Sequence, residues 1–238
     1  MAVSDQNLTN EIQLHLLEPP NNGASYQSLL YTTAEVAARL NYRANLFNLL
    51  TNSFVNFTEL PATNNSKIQN LVNNFMDIID VNYSATGTLA GGGLYYSIPA
   101  GSSLEGDEFI TVQTAVTLPS LYTIDSSQVL TINFFPAPTF TDSNGQMMVF
   151  YTPTIGVFPA VPNGTTFQSG FPDDLTPFIK YGVLADLFNK SGETHDPLRG
   201  SICEGLFNLG IELARSWISG SVFEPVAVQQ PFIAPING

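Results

Sequence analysis

Two amphipathic helices separated by a short polar turn constrain the fold of this chain more than any other feature. The pattern predicts a first helix from about Asp173 to Lys190 and a second helix capped by Asp196, with Pro197 at its first position. Large apolar residues recur at helical spacing along both helices: Leu175, Ile179, Val183 and Leu187, then Ile202, Leu206, Leu209, Leu213 and Trp217. Because the connection is short, we expect an antiparallel helical hairpin over 172–219, with the second stripe as a continuous apolar seam.

A further helix is predicted nearer the N-terminus, between about residues 32 and 54. Thr32 or Thr33 provides an N-cap, and Glu35 places an acid in the first turn. Four apolar residues fall near one face at 3.6-residue spacing: Val36, Leu40, Phe47 and Leu50.

The middle of the chain, residues 54–160, is predicted to be β-rich. Short runs of β-branched and aromatic residues alternate there with proline and glycine breakers. The runs are 54–58, 76–81, 129–134 and 147–151. The turn sequence Asp142-Ser143-Asn144-Gly145 separates the last two runs, so we expect them to pair as a hairpin.

Both ends of the chain are predicted to be extended arms. Residues 1–24 end in a Pro-Pro-Asn-Asn-Gly run, and residues 221–238 contain three prolines among apolar residues. The C-terminal tail is too apolar to prefer water, so we expect it to lie against another surface, and the N-terminal arm could dock as a strand. The predicted fold is therefore α+β, with an N-terminal helix, a central antiparallel β domain and the C-terminal hairpin in a single domain over 25–220.

Several residues are candidates for contacts with other subunits. Arg39 and Arg43 lie one turn apart on the predicted N-terminal helix, where they form either a solvated face or a contact with an acidic partner. Trp217 ends the helical seam, as a core anchor or as an anchor for a partner. The candidate interface residues are Leu14, Leu16, Arg39, Arg43, Trp217, Phe223, Phe232 and Ile233.

The charge balance excludes a protein that grips nucleic acid. The chain carries 7 basic and 20 acidic residues, a formal net charge of −13, and the basic residues form no cluster. Phosphate binding needs several converging cations. An acidic surface either lets DNA pass without sticking or only aids solubility. No signal peptide or membrane span is visible and there is one cysteine, which predicts a protein made in a reducing cytoplasm.

No catalytic, cofactor-binding or metal-binding residues are predicted. The segment Gly192-Glu193-Thr194-His195-Asp196 alone resembles a catalytic or metal-binding constellation, but a capped turn between helices explains each of its residues. Cys203 lies on the second helix without an evident base, which indicates a buried structural thiol.

The C-terminal sequence resembles the tailed-phage head-to-tail adaptor, or neck, protein family. The resemblance rests on the segment from Pro172 to Leu187, on Gly192-Glu193 and Asp196-Pro197 in the turn, and on Gly210-Ile211-Glu212-Leu213-Ala214-Arg215. The order of earlier elements is similar too, through 75–81 and 135–153, whereas Leu71-Val72-Asn73-Asn74 departs from the family's usual Leu-Pro-Asp-Asp.

This resemblance implies a non-enzymatic virion protein located in the neck region and assembled in the host cytoplasm. It implies a homo-oligomeric ring, expected to be a dodecamer, beneath the portal protein and next to another neck or tail protein. Genomic DNA would pass through its lumen without specific binding, and no membrane is involved. Two alternatives remain open: another virion component, such as a tail-tube, decoration or fibre-associated protein, or a hydrolase or carbohydrate-binding module that uses Glu193, His195 and Asp196.

Overall fold

The structure is a computed structural model in which two compact units are described. The described residues are 3–16, 31–66, 68–70, 75–101, 118–125, 131–140, 145–155, 157–167, 171–191 and 195–218. One unit comprises 1–53 with 158–238, and the other comprises 54–157. The second unit corresponds closely to the β-rich region predicted for residues 54–160.

The first unit is helical. Its elements are α1 (Asp5–His15), α2 (Thr33–Thr51), a 3-10 turn (Asp173–Leu175), α3 (Thr176–Phe188) and α4 (Pro197–Ile218). The predicted N-terminal helix and C-terminal helical hairpin are confirmed, and with the antiparallel sheets described below they confirm the α+β class.

The extended conformation predicted for the N-terminal arm is wrong for Asp5–His15, which is a helix. Ser4 caps it, since its hydroxyl accepts a hydrogen bond from the Asn7 backbone N–H at 3.3 Å. Leu8 and Ile12, one turn apart, are buried at 1% and 0% exposure. The overlooked signal in the sequence is Leu8, one helical turn before Ile12. The predicted C-terminal tail, 221–238, lies outside the described residues.

Asp5 fastens the start of α1 to the loop before the 3-10 turn. Its buried carboxylate accepts hydrogen bonds from the backbone N–H groups of Asn163 at 3.1 Å and Gly164 at 2.8 Å. Its own N–H donates to the carbonyl of Thr165 at 2.7 Å. Gly164 has φ +89°, a backbone conformation that residues other than glycine rarely adopt. Three backbone hydrogen bonds thus hold the first residue of α1.

Helix α2 begins as predicted. Thr32 is its N-cap, and its hydroxyl accepts from the Glu35 N–H at 3.1 Å. Three of the four predicted core residues are buried: Val36, Leu40 and Phe47. The fourth, Leu50, is 40% exposed and lies one residue before the end of the helix, whose C-cap Asn52 adopts a left-handed conformation with φ +50°.

Helices α3 and α4 pack closely and antiparallel. A Cβ atom added to Gly182 would meet the Phe207 ring at 2.6 Å, and one added to Gly210 would overlap the Cβ of Phe178. On α3, Phe178 comes before Gly182, whereas their partners on α4 come in the opposite order, Gly210 after Phe207. This reversed order is the pattern of antiparallel helices. A glycine inside a helix lowers its stability by about 1 kcal/mol relative to alanine. The close approach of the two helices explains why glycine nevertheless occurs at these positions.

We predict that Gly210→Ala destabilises the protein, by about 1–3 kcal/mol, because the new methyl group overpacks against Phe178. The matched control is Gly205→Ala on the same helix, where an added Cβ meets nothing within 4 Å. The control is expected to stabilise by about 0.5–1 kcal/mol. Denaturant unfolding followed by circular dichroism measures both. Equal effects from the two variants would contradict the close packing.

The second unit contains two antiparallel sheets. Its strands are β1 (Asn56–Pro61), β2 (Ile68–Asn70), β3 (Asp77–Ser84), β4 (Tyr96–Ile98), β5 (Leu121–Asp125), β6 (Thr131–Phe135) and β7 (Gln146–Thr152). The four-stranded sheet has the order β1-β7-β3-β4, and the three-stranded sheet has the order β2-β6-β5. The predicted hairpin between the last two runs is wrong, because β6 and β7 belong to different sheets. Turn residues 142–144 lie outside the described residues.

The pairing follows from one core to which both sheets contribute. Val81, Met147 and Val149 of the four-stranded sheet and Ile132 and Phe134 of the three-stranded sheet belong to the same buried cluster. Burial on both sheets thus explains why β6 and β7 separate, whereas a simple hairpin would have placed them side by side.

Tyr83 lies in this core and carries a polar atom without a counterpart. It is 0% exposed, and its hydroxyl has no hydrogen-bond partner among the described residues. Burial raises the pKa of Tyr83 to about 12. An unfolded tyrosine ionises near 10. The contribution of neutral, buried Tyr83 to stability is therefore fully present below about pH 10 and is lost as pH rises towards 12.

We predict that Tyr83→Phe leaves the free energy of unfolding at pH 7 unchanged or raises it by about 1 kcal/mol, since it removes an unpaired hydroxyl and keeps the ring. The loss of stability above about pH 10 should also diminish. Tyr95→Phe serves as the control, because it deletes a hydrogen bond from the Tyr95 hydroxyl to Glu59 at 3.0 Å. Urea denaturation at both pH values tests this. A Tyr83→Phe variant as destabilised as Tyr95→Phe would contradict it.

Candidate interaction surface on the C-terminal helix

Arg43 of α2 joins the three long helices of the helical unit. Its Nε and one terminal nitrogen donate to both carboxylate oxygens of Asp186 on α3, at 3.1 and 2.6 Å. The guanidinium also donates to Glu204 on α4, at 3.0 and 2.9 Å. Its carbon lies 4.9 Å from the centre of the Phe207 ring. One side chain thereby fixes how α2, α3 and α4 face each other.

These carboxylates stabilise the protonated, charged form of Arg43. Burial alone lowers the pKa of the Arg43 guanidinium, but the hydrogen bonds and negative charges of Asp186 and Glu204 more than offset this and leave the pKa above its ordinary value. The solvated face predicted for Arg43 is wrong, because the residue is 9% exposed. The acids that its guanidinium contacts belong to its own chain.

The face of α4 that this network turns inwards is not the predicted seam. The buried residues of α4 are Gly200, Cys203, Phe207, Gly210, Ile211 and Ala214. Most of them are small, which suits the close approach to α3. Sequence reasoning missed this face because its glycines, alanine and cysteine carry a weaker apolar pattern than the leucines beside them. The glycines at helical spacing were the overlooked signal.

The predicted seam instead faces outwards. Together with Leu198, one turn before it, we call this row the α4 stripe; its exposed members are Leu198 at 72%, Ile202 at 57%, Leu209 at 50%, Leu213 at 44% and Trp217 at 44%. Leu206 lies half-buried within the same row. Single exposed leucines are common on proteins, but a continuous row of large apolar side chains along one helix is a candidate interaction surface. Trp217 is therefore an exposed residue of this surface and not a core anchor.

A pocket lies beside the N-terminal half of the stripe. It has a volume of about 260 Å³ and is lined by His15, Tyr181, Leu184, Phe188, Arg199, Ile202 and Cys203. Ile202 belongs to both the pocket and the stripe. The lining is mainly apolar, with His15 and Arg199 as its polar groups, so the pocket suits an apolar or aromatic side chain.

The other predicted interface residues are scattered. Leu14 on α1 is 68% exposed, and Leu16 is half-buried just after this helix. Arg39 is exposed on α2. Phe223, Phe232 and Ile233 lie outside the described residues.

The turn between α3 and α4 has a structural role. Asp196 accepts a hydrogen bond from the Arg199 backbone N–H at 3.1 Å, as expected of an N-cap, and His195 is exposed. Glu193 lies outside the described residues. Within the described part of the chain, no group of three or more His, Cys, Asp or Glu side chains is placed to hold a metal ion. Cys203 is buried, as predicted, and burial raises the pKa of its thiol.

Five of the seven basic residues of the chain face carboxylates of the same chain. Besides Arg43, the pairs are Lys180–Glu11 at 2.8 Å, Lys190–Glu35 at 2.8 Å, Arg199–Asp196 at 3.4 Å and Arg215–Glu212 at 3.5 Å. The neighbouring carboxylates largely neutralise these cations, so few positive charges are left to bind phosphate groups.

This chain is similar to a chain of known structure. The sequence matches no protein-family model, and no curated protein matches it. A chain in the structure described as "Neck of empty GTA particle computed with C6 symmetry" aligns over 90% of this chain and 94% of its own length, with 14% identity and a TM-score of 0.28. A TM-score this low does not establish a shared fold. None of the described helices is long and apolar enough to span a membrane.

We predict that Arg43→Met destabilises the protein by roughly 3 kcal/mol, because it leaves Asp186 without its buried partner. Arg39→Met, one turn earlier and exposed, is the matched control and should change stability by no more than about 0.5 kcal/mol. Arg43→Lys should recover only part of the loss, since an ammonium group cannot reproduce the two-pronged contact with Asp186. Thermal and denaturant unfolding compare the three variants. An Arg43→Met variant as stable as Arg39→Met would contradict this role.

Proposed function

We propose that this chain is a subunit of a head-to-tail adaptor, or neck, ring of a tailed phage or related virus. In this role it joins the capsid portal to the next neck or tail protein and performs no catalysis. The observation that carries the proposal is the α4 stripe: a row of large apolar side chains that an internal ion-pair network holds outwards. A helix of this kind needs a protein partner to cover it.

The residues that resemble the adaptor family have definite structural roles in this chain. Asp173 and Asp174 begin the 3-10 turn that leads into α3, and Asp196 caps α4. Gly210 allows the contact with Phe178. Arg215 donates from its Nε to the carbonyl of Leu50 at 2.9 Å, which ties the end of α4 to the end of α2. The sequence resemblance thus corresponds to the contacts that shape the hairpin.

The charge distribution supports a channel through which DNA passes and argues against a surface that binds DNA. The net charge is −13, and five of the seven basic residues are paired with acids of the same chain. An acidic lumen repels the phosphate backbone and keeps it from adhering. A ring of such subunits would let the genome move through without a specific contact. Twelvefold symmetry and docking on the portal follow from the family resemblance and form part of the proposal.

We predict that the purified full-length chain assembles into closed rings of one protein and binds the portal protein of the same virus. Light scattering coupled to size-exclusion chromatography gives the mass of the assembly, and negative-stain electron microscopy gives its symmetry. Labelling in intact particles should place the protein between capsid and tail. A chain that stays monomeric at all concentrations and binds neither portal nor tail proteins would contradict the proposal.

A further inference from the structure

The α4 stripe ends where the described chain ends. Trp217 is its last large side chain, and α4 stops at Ile218, itself 52% exposed. Twenty residues, 219–238, follow in the sequence. The position and length of this segment make it the first candidate to cover the stripe.

The composition of residues 219–238 suits an apolar surface. Glu224 is its sole charged side chain, and Pro225, Pro231 and Pro235 prevent a helix. The remaining residues are mostly apolar, with two phenylalanines, Phe223 and Phe232. Such a segment cannot build a core of its own, and an extended chain of this kind presents its side chains to a surface at little entropic cost.

The length of the α4 stripe matches the spacing of the two phenylalanines in the C-terminal segment. The stripe from Leu198 to Trp217 spans 19 helical steps, or about 29 Å. Phe223 and Phe232 are nine residues apart, or about 28 Å in the extended conformation that proline favours. One phenyl ring can therefore lie near Trp217 while the other lies near the pocket at the opposite end of the stripe. That pocket, at about 260 Å³ with mainly apolar walls, is large enough for a phenyl group.

We propose that the C-terminal segment 219–238 of a second copy of this chain docks along the α4 stripe. The proposal rests on the proposed function, since it requires neighbouring copies. The second copy is favoured over the same chain because the segment follows the last residue of α4, Ile218, and the stripe lies back along the helix from that point. To cover its own stripe it would have to reverse direction within Ser219–Ser221, before the first apolar residue, Val222. A neighbouring copy requires no such reversal, and one charge in 20 residues gives little repulsion from a surface of any sign.

Cysteine cross-linking in the full-length chain tests which copy supplies the segment. Both partners carry Cys203→Ala, which removes the natural thiol. One chain carries Leu209→Cys on the stripe and the other Phe232→Cys in the segment, and a size tag distinguishes them after co-expression. Mild oxidation should yield a disulfide-linked product that contains one chain of each size. In the matched control, Tyr42→Cys on α2, 57% exposed, replaces Leu209→Cys and should give no such product.

Two results would overturn the proposal. Closure on itself, under oxidation, of a single chain that carries both Leu209→Cys and Phe232→Cys would assign the segment to its own stripe. Absence of any link from either Phe232→Cys or Phe223→Cys to the stripe would assign the stripe to a different protein. Neither result touches the proposed function, which fails only if the full-length chain forms no ring.

A second measurement separates docking from assembly. Phe223→Ser combined with Phe232→Ser, in the full-length chain, should raise the concentration at which the oligomer forms at least about tenfold, because two buried rings are lost. Circular dichroism should be unchanged, since neither residue belongs to a described helix or strand. Rings that form at the same concentration with and without the two phenylalanines would overturn the docking proposal and leave the ring itself intact.

Discussion

The helical unit depends on the contact that Arg43 makes with Asp186 and Glu204. A buried charge is costly unless its partners satisfy it, and here a planar guanidinium meets one carboxylate with two hydrogen bonds and a second carboxylate from another helix. The network has little tolerance for rotation of any helix about its axis, because the acids would then move out of reach. It therefore determines which face of α4 points inwards. Its contribution is to specificity of packing as much as to stability.

Small residues and aromatic rings complete this arrangement. Gly182 and Gly210 allow α3 and α4 to approach until the rings of Phe207 and Phe178 fill the space between them. A row of aromatic contacts continues away from α4, with ring centres 5.0–6.4 Å apart: Phe207, Phe47, Phe171, Phe167 and Phe158. With the inward face filled in this way, the larger apolar residues of α4 have no place in the core. The outward stripe is thus a consequence of the packing.

The sequence contains enough to predict the long helices and the β-rich region, and too little to predict helix α1 or the faces and partners of the elements. The hairpin and the β-rich region follow from local periodicity, and both are present. The inward face of α4 does not follow, because two apolar faces lie side by side and leucines outweigh glycines in any local pattern. The role of Arg43 depends on acids 143 and 161 residues away. Likewise, β7 pairs with β1 and β3 because of a core shared by two sheets, which no turn sequence encodes.

In the assembled oligomer, the α4 stripe is expected to be covered by protein. Trp217 is the single tryptophan of the chain and lies on the stripe, 44% exposed, so its fluorescence reports on this surface without any substitution. Emission and acrylamide quenching can be followed across a dilution series alongside the mass of the assembly. The account predicts a blue shift and protection from quenching that appear together with the oligomer. An assembled protein whose Trp217 stays as accessible to acrylamide as in the monomer would contradict it.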